Sequence, residues 1–477
     1  MKKILLAFCL LLLSSTIFAQ QFSQYNTGTL YDSFENPSQK AFITDSSKQF
    51  AFNFLVPNFN TNFYVTGNAQ STIKNRVFNY KYDNSALQVG QGRYNHANLN
   101  ANAYVLMLKM FTSLNGDVEM GFSWQIKGEG KSIFTDETAA VFNGTTSFKN
   151  NSYANIFNDN FYFQSYHQFS YTYREKIDKQ FAFGFKLSVL SGIQYEKVNI
   201  TNSSIAFDKL NDSAVVALQG VYHSSYIPGH LTPRDYLPNF RNPGASITMG
   251  GSFKTEDGFL IQGNVKDLGF IHWSSRSSIY NFDDTRSIRG LSTRGREDSI
   301  YNSVYKIIHS NQTIGSFTTP IDGRAEISVY RSYFIDQNNE FTYSPTLIAS
   351  KELFYPGFTA ALVNPFQYKK YVATLTATYD DMKLFNLGAQ FMLKTPNFEF
   401  YIGTDKLAQS VSLLGSELNK STNQTFQNGS FTGADFFLGF AVKFGPVIEH
   451  PMNSSTMNTG EKGFFGRLWG RIFKTDD

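Results

Sequence analysis

The fold of this chain can be approached from one stretch near its end, Ala434-Asp-Phe-Phe-Leu-Gly-Phe-Ala-Val-Lys-Phe444. Side chains alternate between the two faces of a β-strand. With that period one face of the stretch is continuously apolar, and it carries Phe436, Leu438, Phe440, Val442 and Phe444. The other face is small, polar or charged. A tilted strand of about ten such residues crosses a bilayer, but a soluble β-sandwich shows the same alternation, so the stretch leaves both folds open.

The position of this stretch near the end of the chain gives it a specific role if the fold is a barrel. It would then have to pair with the first strand, near residues 49–56, as well as with its predecessor, because no other arrangement removes both sheet edges. Gly445 and Pro446 follow it and are expected to end its ladder.

The first residues predict export from the cytoplasm. Lys2 and Lys3 precede an apolar run over residues 4–13 that is too short for a transmembrane helix, and small residues follow up to Ala19. This pattern is typical of a secretory signal peptide that is cleaved after Ala19. The only cysteine, Cys9, lies inside the apolar run, so the mature chain would contain no disulfide, no thiol nucleophile and no thiolate metal site.

Composition narrows the class further. The formal net charge is +4 with Lys2 and Lys3 included, so nothing indicates a polyanionic partner such as nucleic acid. The chain contains 48 Phe and 27 Tyr, yet its mean hydropathy is −0.28. After the signal peptide no apolar run is long enough for a membrane-spanning helix. Abundant aromatic residues without long apolar runs favour a chain that shows apolar side chains at every second position.

Segments of this kind follow one another along the chain. The clearest sets Val118, Met120, Phe122, Trp124 and Ile126 against polar neighbours, and residues 98–109 are predicted to set Asn98 and Tyr104 against an apolar face that ends with Met107. We predict strands at residues 49–56, 59–67, 98–109, 117–127, 161–174, 180–190, 192–200, 214–223, 245–254, 259–266, 324–333, 341–350, 368–379, 384–394, 398–405 and 434–444. Residues 59–67 are taken as a return strand, and residues 192–200 with 214–223 as an outer hairpin.

Tight linkers such as 395–397 alternate with long ones such as 406–432, which is the pattern of short turns on one side of a barrel and long loops on the other. We therefore predict an all-β fold, a transmembrane antiparallel β-barrel of about 14 strands, within a range of about 12 to 16. Residues 132–143 have the cap residue and spacing of a short helical insertion, which could act as a hatch. The expected regions are a signal peptide over 1–19, an N-terminal periplasmic or plug segment over 20–47, the barrel over 48–444, and a linker with an amphipathic tail over 445–477.

Several short phrases resemble a known family. Asn36-Pro37-Ser38, just before the first strand, is similar to the Asn-Pro-Ala signature of several Bacteroidota outer-membrane barrels. Val265 to Trp273, Gly315 to Pro320 and Gly403 to Lys406 resemble phrases of one uncharacterised family of such barrels, a domain of unknown function. That family is related to fatty-acid-transporter-like and type IX secretion barrels. The resemblance implies a membrane barrel but no known activity.

Signatures of catalysis are sparse. There is no phosphate-binding loop, no histidine pair at metal spacing and no Gly-x-Ser-x-Gly elbow, so we expect neither an enzyme nor a cofactor nor a metal. His167, with Ser165 nearby on the same predicted strand, could belong to a hydrolase, but a histidine among strand aromatics is more often structural. Asp117, Glu119, Gln125 and Lys127 are candidates to line a polar lumen, or else they pair with neighbouring strands.

Two tryptophans are candidates for the membrane interface. Trp273, beside His272, is expected in an interfacial aromatic belt. Trp469 lies in residues 463–474, where apolar and basic residues alternate with helical spacing; such a segment binds membrane interfaces, or else is a disordered tail or a helix packed under the barrel.

The sequence leaves three functions open. The leading hypothesis is a barrel in the outer membrane that acts as a passive carrier or channel for small or hydrophobic molecules. The alternative is a binding barrel that serves envelope assembly or secretion without transporting anything. The third is a soluble secreted β-rich adhesin. The expected partners are outer-membrane lipid and, for the alternative, envelope or secretion proteins.

Overall fold

Alternating side chains along nearly the whole chain produce one continuous antiparallel sheet. The computed structural model describes residues 22–43, 46–112, 117–226, 232–355, 357–418 and 431–447. The expected signal peptide, Trp469 and the amphipathic tail lie outside the described residues.

The described strands, in chain order, are β1 Lys48–Phe52, β2 Asn58–Thr66, β3 Tyr94–Phe111, β4 Val118–Thr135, β5 Ser152–Ala154, β6 Asn160–Lys176, β7 Phe181–Asp208, β8 Ser213–Ser224, β9 Pro243–Lys254, β10 Leu260–Trp273, β11 Ser278–Arg289, β12 Gln312–Ile314, β13 Phe317–Pro320, β14 Arg324–Tyr330, β15 Tyr333–Phe334, β16 Phe341–Tyr343, β17 Thr346–Glu352, β18 Phe358–Tyr368, β19 Tyr371–Asp380, β20 Phe385–Lys394, β21 Phe398–Thr404 and β22 Phe431–Val447. The described α-helices are α1 Leu30–Glu35, α2 Ala69–Asn79, α3 Asp136–Val141, α4 Arg296–Ile308 and α5 Leu407–Leu418. No helix among the described residues is long and apolar enough to cross a membrane.

The sheet closes into a barrel of 14 strands, as the sequence predicted. β22 pairs with β21 on one side and with both β1 and β2 on the other, for example Phe444 with Phe50 and Leu438 with Phe59. The closing role of residues 434–444 is therefore confirmed. The end expected at Gly445 is wrong, because the ladder continues to a pair between Val447 and Lys48, past an irregularity at which Gly445 has a φ of +93°.

The 14 strands are not all those expected from the sequence. β1 and β2 both run antiparallel to β22 and β3, so residues 48–66 form one interrupted wall strand and 59–67 is not a return. Likewise β7 is a single strand of 28 residues. β8 pairs with residues 196–208 of β7, called its upper half, and with β11, and it lies outside the wall. β18 was missed because Pro365, inside it, argues against a strand.

A register shift between Tyr104 and Leu106 changes which side chains of β3 face the interior. One extra residue in a strand moves the following side chains to the opposite face. Met107 is consequently buried while Leu108 is exposed, so the outward position expected for Met107 is wrong.

The two ends of the barrel differ. Connections 112–117, 177–180, 255–259, 335–340, 369–370 and 395–397 are short and lie at one end, called the turn end; β1 starts and β22 finishes there. Connections at the other end, called the loop end, are mostly long and contain α2 to α5. There the upper half of β7, with β5, β8, β11 and β12, forms a sheet beyond the wall, called the projecting sheet.

The short helix expected near residues 132–143 is real but begins later, with Thr135 as its cap. Ala140 and Val141 of this helix, α3, belong to an apolar cluster with residues of the projecting sheet and of α4. It therefore lies at the loop end and is not a hatch in the barrel interior.

The two faces of the wall differ in polarity. Large apolar side chains are exposed on the outer face, among them Phe122, Leu187, Leu375, Phe391 and Phe436. Inward positions of the same strands are polar or charged and buried, among them Glu119, Lys186, Thr374, Gln390 and Asp435. Such a chain has its apolar face outward and its polar face inward, as in membrane barrels.

Candidate functional site: a segment inside the barrel

The barrel interior is occupied by the start of the described chain. Residues 22–43, called the internal segment, contain a single-turn 3₁₀ helix at Phe22–Gln24 and the helix α1. Phe22, Leu30, Tyr31, Phe34, Ala41 and Phe42 are all buried. Five of these six contribute to apolar clusters with wall residues such as Tyr104, Met392 and Phe437, and Phe22 packs with Ile348, Ala361 and Val363.

Carboxylates of the wall accept hydrogen bonds from backbone N–H groups of the internal segment. The three pairs are Phe22 N to Asp405 Oδ2 at 3.0 Å, Leu30 N to Glu399 Oε2 at 2.8 Å and Ala41 N to Glu119 Oε2 at 3.1 Å. Hydrogen bonds to ionised acceptors are stronger than neutral ones. The segment is thus bound near its start, middle and end.

Cations of the wall bind the backbone carbonyls of the same segment. Arg174 Nε donates to Ser38 O at 2.9 Å and Lys109 Nζ to Ser33 O at 3.5 Å, and Lys394 and Lys443 donate to Thr27 O and Ala41 O. Because these contacts go to the main chain, they fix the path of the segment and depend little on which side chains it carries.

Two buried ion pairs of the wall lie next to the internal segment. Lys109 Nζ lies 3.0 Å from Glu119 Oε2, and Lys443 Nζ lies 2.8 Å from Glu399 Oε1. A buried charge is costly unless it is paired and hydrogen-bonded. Each pair also bonds to the backbone of the internal segment, so withdrawal of the segment would leave these groups under-bonded or would admit water.

The Asn36-Pro37-Ser38 phrase packs closely against the wall. Asn36 Oδ1 accepts from Ser38 N at 3.1 Å and from Ser38 Oγ at 2.8 Å, which folds the phrase into a turn. This turn lies against Gly184 of β7 and Gly250 of β9, which pair in register. A Cβ on Gly184 would lie 2.0 Å from Pro37 O, and one on Gly250 would lie 2.4 Å from Asn36 Oδ1. The turn can approach only because both residues lack a side chain.

Two acidic side chains of α1 have different environments. Glu35 accepts from Tyr104 Oη at 2.7 Å and pairs with Lys266 Nζ at 3.2 Å. Asp32 Oδ2 instead accepts backbone N–H groups of Thr27 and Gly28, at 2.9 and 3.2 Å. Burial raises the pKa of Asp32 to about 7, despite these bonds and the nearby Lys266 and Lys394.

The four expected lumen residues do not form one site. Glu119 contacts the internal segment, as described above. Gln125 donates to Asn102 Oδ1 at 2.6 Å, and Lys127 Nζ lies 2.5 Å from Asp267 Oδ2. Asp117 lies in the connection before β4, 4.0 Å from Lys176 Nζ, with a partly exposed side chain.

Sequence reasoning missed most of the residues that bind the internal segment. Arg174, Glu399, Asp405, Gly184 and Gly250 occupy inward positions on strands that were correctly expected, or directly follow one. The available signal was a charge or a glycine on the polar face. Nothing local indicates which of these positions meets a segment that is more than about a hundred residues away in the chain.

A model of one protein family matches residues 41–405, most of the chain. The chain belongs to the Family of unknown function (DUF5723). Among curated proteins, none matches the chain. The match begins near the end of the internal segment and ends at Asp405, so it includes most of the wall residues that bind the segment but only the last three residues of the segment itself.

Several solved barrels are similar to this DUF5723 chain in shape. A Pseudomonas aeruginosa FadL homologue is 12% identical, with a TM-score of 0.42, and the match covers 89% of this chain and 96% of that one. The Ralstonia pickettii toluene transporter TbuX is 7% identical, with a TM-score of 0.40, and the match covers 87% of this chain and 94% of that one. The translocator domain of autotransporter NalP from Neisseria meningitidis is 6% identical, with a TM-score of 0.33, and the match covers 84% of this chain and 90% of that one. Likenesses of this degree carry no functional conclusion.

The interface position expected for Trp273 of the DUF5723 chain is wrong. Its side chain is completely buried, its Nε1 donates to Thr319 Oγ1 at 2.8 Å, and its ring packs near those of Tyr195 and Phe317. The alternation of β10 places it in the interior, whereas its neighbour His272 is exposed.

His167 has contacts of a structural kind. Its Nδ1 accepts from Trp124 Nε1 at 3.2 Å and its Nε2 lies 2.8 Å from Tyr236 O. No group of three or more His, Cys, Asp or Glu among the described residues of the DUF5723 chain is placed to hold a metal ion.

Proposed function

We propose that this chain is an outer-membrane β-barrel through which small or hydrophobic molecules pass passively, with the internal segment as its gate. The observation that carries the proposal is the binding of residues 22–43 to the inner wall through their backbone. Such a segment closes the barrel, and apart from its chain connection to β1 it is held there by non-covalent contacts. Glu119, Gln125 and Lys127 are proposed to line the passage above and beside it, with Asp117 at its turn-end mouth.

The proposed location follows from the wall. An outward apolar face and a closed hydrogen-bonded sheet are what a membrane requires of a β-structure, because lipid offers no partner for backbone groups. We place the turn end in the periplasm and the loop end outside the cell, as is usual for such barrels. The absence of catalytic signatures supports a transport or binding role over an enzymatic one.

Opening requires the loss of several contacts together. A typical hydrogen bond contributes about 0.5–1.5 kcal/mol, and one to a charged group about 1.5–3 kcal/mol. Seven such main-chain contacts join the wall to the internal segment at Asp405, Glu399, Glu119, Arg174, Lys109, Lys394 and Lys443. We therefore propose that a bound solute or a partner displaces part of the segment, because spontaneous withdrawal of the whole segment is too costly.

The test is solute entry into liposomes that contain the purified mature protein. We expect slow entry of a small sugar and of a monoaromatic compound with the full chain. A variant that lacks residues 22–43 should admit the sugar quickly, while its folding is checked by heat-modifiable migration on gels. Equal entry with both folded proteins would contradict a gate, and no entry with either would favour the second candidate below.

One observation favours a second candidate, a binding barrel for envelope assembly or secretion. The projecting sheet has its own apolar cluster, with Phe207, Val216, Phe282 and Ile300 among its members. An ordered platform beyond the wall is more than a pore needs. A relation to fatty-acid-transporter-like and type IX secretion barrels of Bacteroidota, suggested by Asn36-Pro37-Ser38, belongs to the proposal as well.

A further inference from the structure

A segment that begins with the short 3₁₀ helix Pro233–Tyr236 lies on the outside of the barrel wall. Residues 232–242, called the strap, lead into β9 and cover outward-facing side chains of β4, β6 and β7. His167 and Ser191 alternate with inward residues on their strands and would be exposed on a bare wall, yet both are buried. The strap is what covers them.

The strap is fixed to the wall by specific bonds. Phe240 N donates to Ser191 Oγ at 3.0 Å, and the rings of Phe240 and Phe169 lie 5.8 Å apart. His167 Nδ1 accepts from the indole N–H of Trp124. The neutral ring therefore carries its proton on Nε2 and donates it to Tyr236 O, 2.8 Å away, so His167 joins the strap to the wall.

The strap is also internally ordered. Pro233 and Pro238 fix their φ angles. Asp235 Oδ2 accepts from Thr232 N at 2.8 Å, and its Oδ1 accepts from Arg241 Nη1 at 2.9 Å. Little conformational entropy remains to be lost when the strap binds something else.

The strap lies at a boundary in the chemistry of the outer surface. Toward the turn end the exposed outward residues of the wall are apolar, such as Phe122, Leu187 and Val189. His167 pairs in register with Ile126, the last apolar outward residue of this stretch of β4. Toward the loop end the outward residues of β7 are mostly polar, beginning with the exposed Lys197.

The exposed side of the strap combines apolar and basic side chains. Tyr236 is 52% exposed, Leu237 62% and Phe240 47%, and Arg234 is exposed beside them. Aromatic residues are enriched where a membrane meets water, and Arg next to Phe or Leu is typical of segments that lie in that interface. A loop in water would gain nothing from showing three large apolar side chains.

We propose that the strap is a membrane-interface anchor that inserts Tyr236, Leu237 and Phe240 among the lipids of the leaflet at the loop end, with Arg234 at the level of the headgroup phosphates. This inference rests on the proposed membrane location of the barrel. The occupant of the surface is lipid, because the strap continues the apolar band of the wall at its upper edge. The anchor holds the barrel at a fixed depth on the side of β4, β6 and β7.

The test uses spin labels, since the only cysteine of the chain, Cys9, lies in the expected signal peptide. Leu237→Cys is labelled with a nitroxide in the purified mature barrel, in nanodiscs of phosphatidylcholine with or without phosphatidylglycerol. Phe122→Cys, in the apolar band, and Thr285→Cys, on the outer face of the projecting sheet, are the matched controls. Frequent collisions of the label with oxygen, which concentrates in lipid, show that it lies in the membrane. Frequent collisions with a nickel chelate, which stays in water, show that it is exposed to solvent.

We expect the ratio of oxygen to nickel collisions at position 237 to be higher than at position 285 and lower than at position 122. A label at 237 as accessible to nickel as the one at 285 would overturn the anchor. Shielding from both reagents that vanishes when each nanodisc holds a single barrel would also overturn it, in favour of a second copy. If the label at 122 is in water too, the membrane location itself is wrong, which separates the two failures.

A second variant tests the connection to the wall. His167→Ala should increase the mobility of the label at 237, because the bond to Tyr236 O is lost, while heat-modifiable migration shows that the barrel still folds. Phosphatidylglycerol should immobilise the label further in the parent chain but less in Arg234→Gln. Unchanged mobility in His167→Ala would refute the assigned role of His167, and unchanged lipid dependence in Arg234→Gln would refute the phosphate contact.

Discussion

Two glycines of the wall determine whether the internal segment can reach its bound position. Gly184→Ala would place a Cβ 2.0 Å from Pro37 O, and overpacking of this kind costs about 1–3 kcal/mol. We expect faster hydrogen exchange of the amides near residues 36–41, measured by mass spectrometry on the folded barrel. Gly263→Ala, on the neighbouring β10, meets nothing within 4 Å and should exchange like the parent. Equal exchange in all three proteins would contradict the close approach of the Asn36-Pro37-Ser38 turn.

Asp32 should make the docking of the internal segment depend on pH. Burial raises its pKa to about 7, above the ordinary value of about 3.9, so the bound segment disfavours the ionised form. Docking is then strongest at low pH, weakens as the pH rises from about 4 to about 7, and is level above that. Protection of amides 27–35 measured across this range should fall in the parent and stay constant in Asp32→Asn. A fall of the same size in Asp32→Asn would assign the titration to another group.

At the scale of strands, periodicity predicted faces well and boundaries poorly. The residues of β22 that face outward were each predicted correctly, because nothing interrupts the alternation of this strand before Gly445. Met107 was assigned to the wrong face because one extra residue in β3 has no signature in the side-chain pattern. Pro365 concealed β18, and Asn53 to Pro57 concealed the continuity of β1 and β2. Of the sixteen segments predicted as strands, 59–67 and 192–200 continue a neighbouring wall strand and 214–223 lies outside the wall, whereas β18 was missed, and the wall therefore has 14 strands.

The candidate site was predicted only in part, for a physical reason. Glu119 was singled out because a charge on the polar face of a strand is conspicuous. Its bond to Ala41 N, like that of Glu399 to Leu30 N, depends on how one segment threads through a closed wall. Such contacts are set by the three-dimensional path of the chain and not by local spacing, so the sequence offered no means to pair them.

A single strand, β7, allows the membrane boundary to be tested with matched variants. Leu187 and Ser204 both face outward and both are exposed, but only Leu187 lies in the apolar band. Leu187→Arg should cost about 2–4 kcal/mol, the cost of Arg near the middle of a bilayer, and Ser204→Arg should cost almost nothing. Urea unfolding in lipid vesicles measures both. Similar costs for the two variants would contradict the assigned membrane boundary.

The closing strand predicts the outcome of two truncations. Deletion of residues 448–477 leaves β22 intact and should give a folded barrel with heat-modifiable migration. Deletion from Phe436 onward removes most of the pairs with β1, β2 and β21 and should abolish assembly, because an open barrel has two unpaired edges in lipid. If the shorter deletion also prevents folding, the tail is structural and β22 alone is not sufficient to close the sheet.

On the scale of the whole molecule, the barrel is uneven in height. β3, β4 and β6 have 17 or 18 residues, whereas β19 and β20 have 10 each and β21 has 7. The projecting sheet, its helices and the strap all lie on or next to the tall side. One side of the molecule therefore extends beyond the other at the loop end. Under the proposed function this side would project beyond the membrane.

The central claim is that the internal segment keeps an otherwise open barrel closed, and electrical conductance across a planar lipid bilayer tests it most directly. With the parent protein and with Gly263→Ala we expect a flat baseline. Gly184→Ala should show brief openings, and the variant that lacks residues 22–43 should show lasting steps of constant size. Lasting steps of the same size from the parent protein, or a flat baseline from the folded deletion variant, would contradict the account.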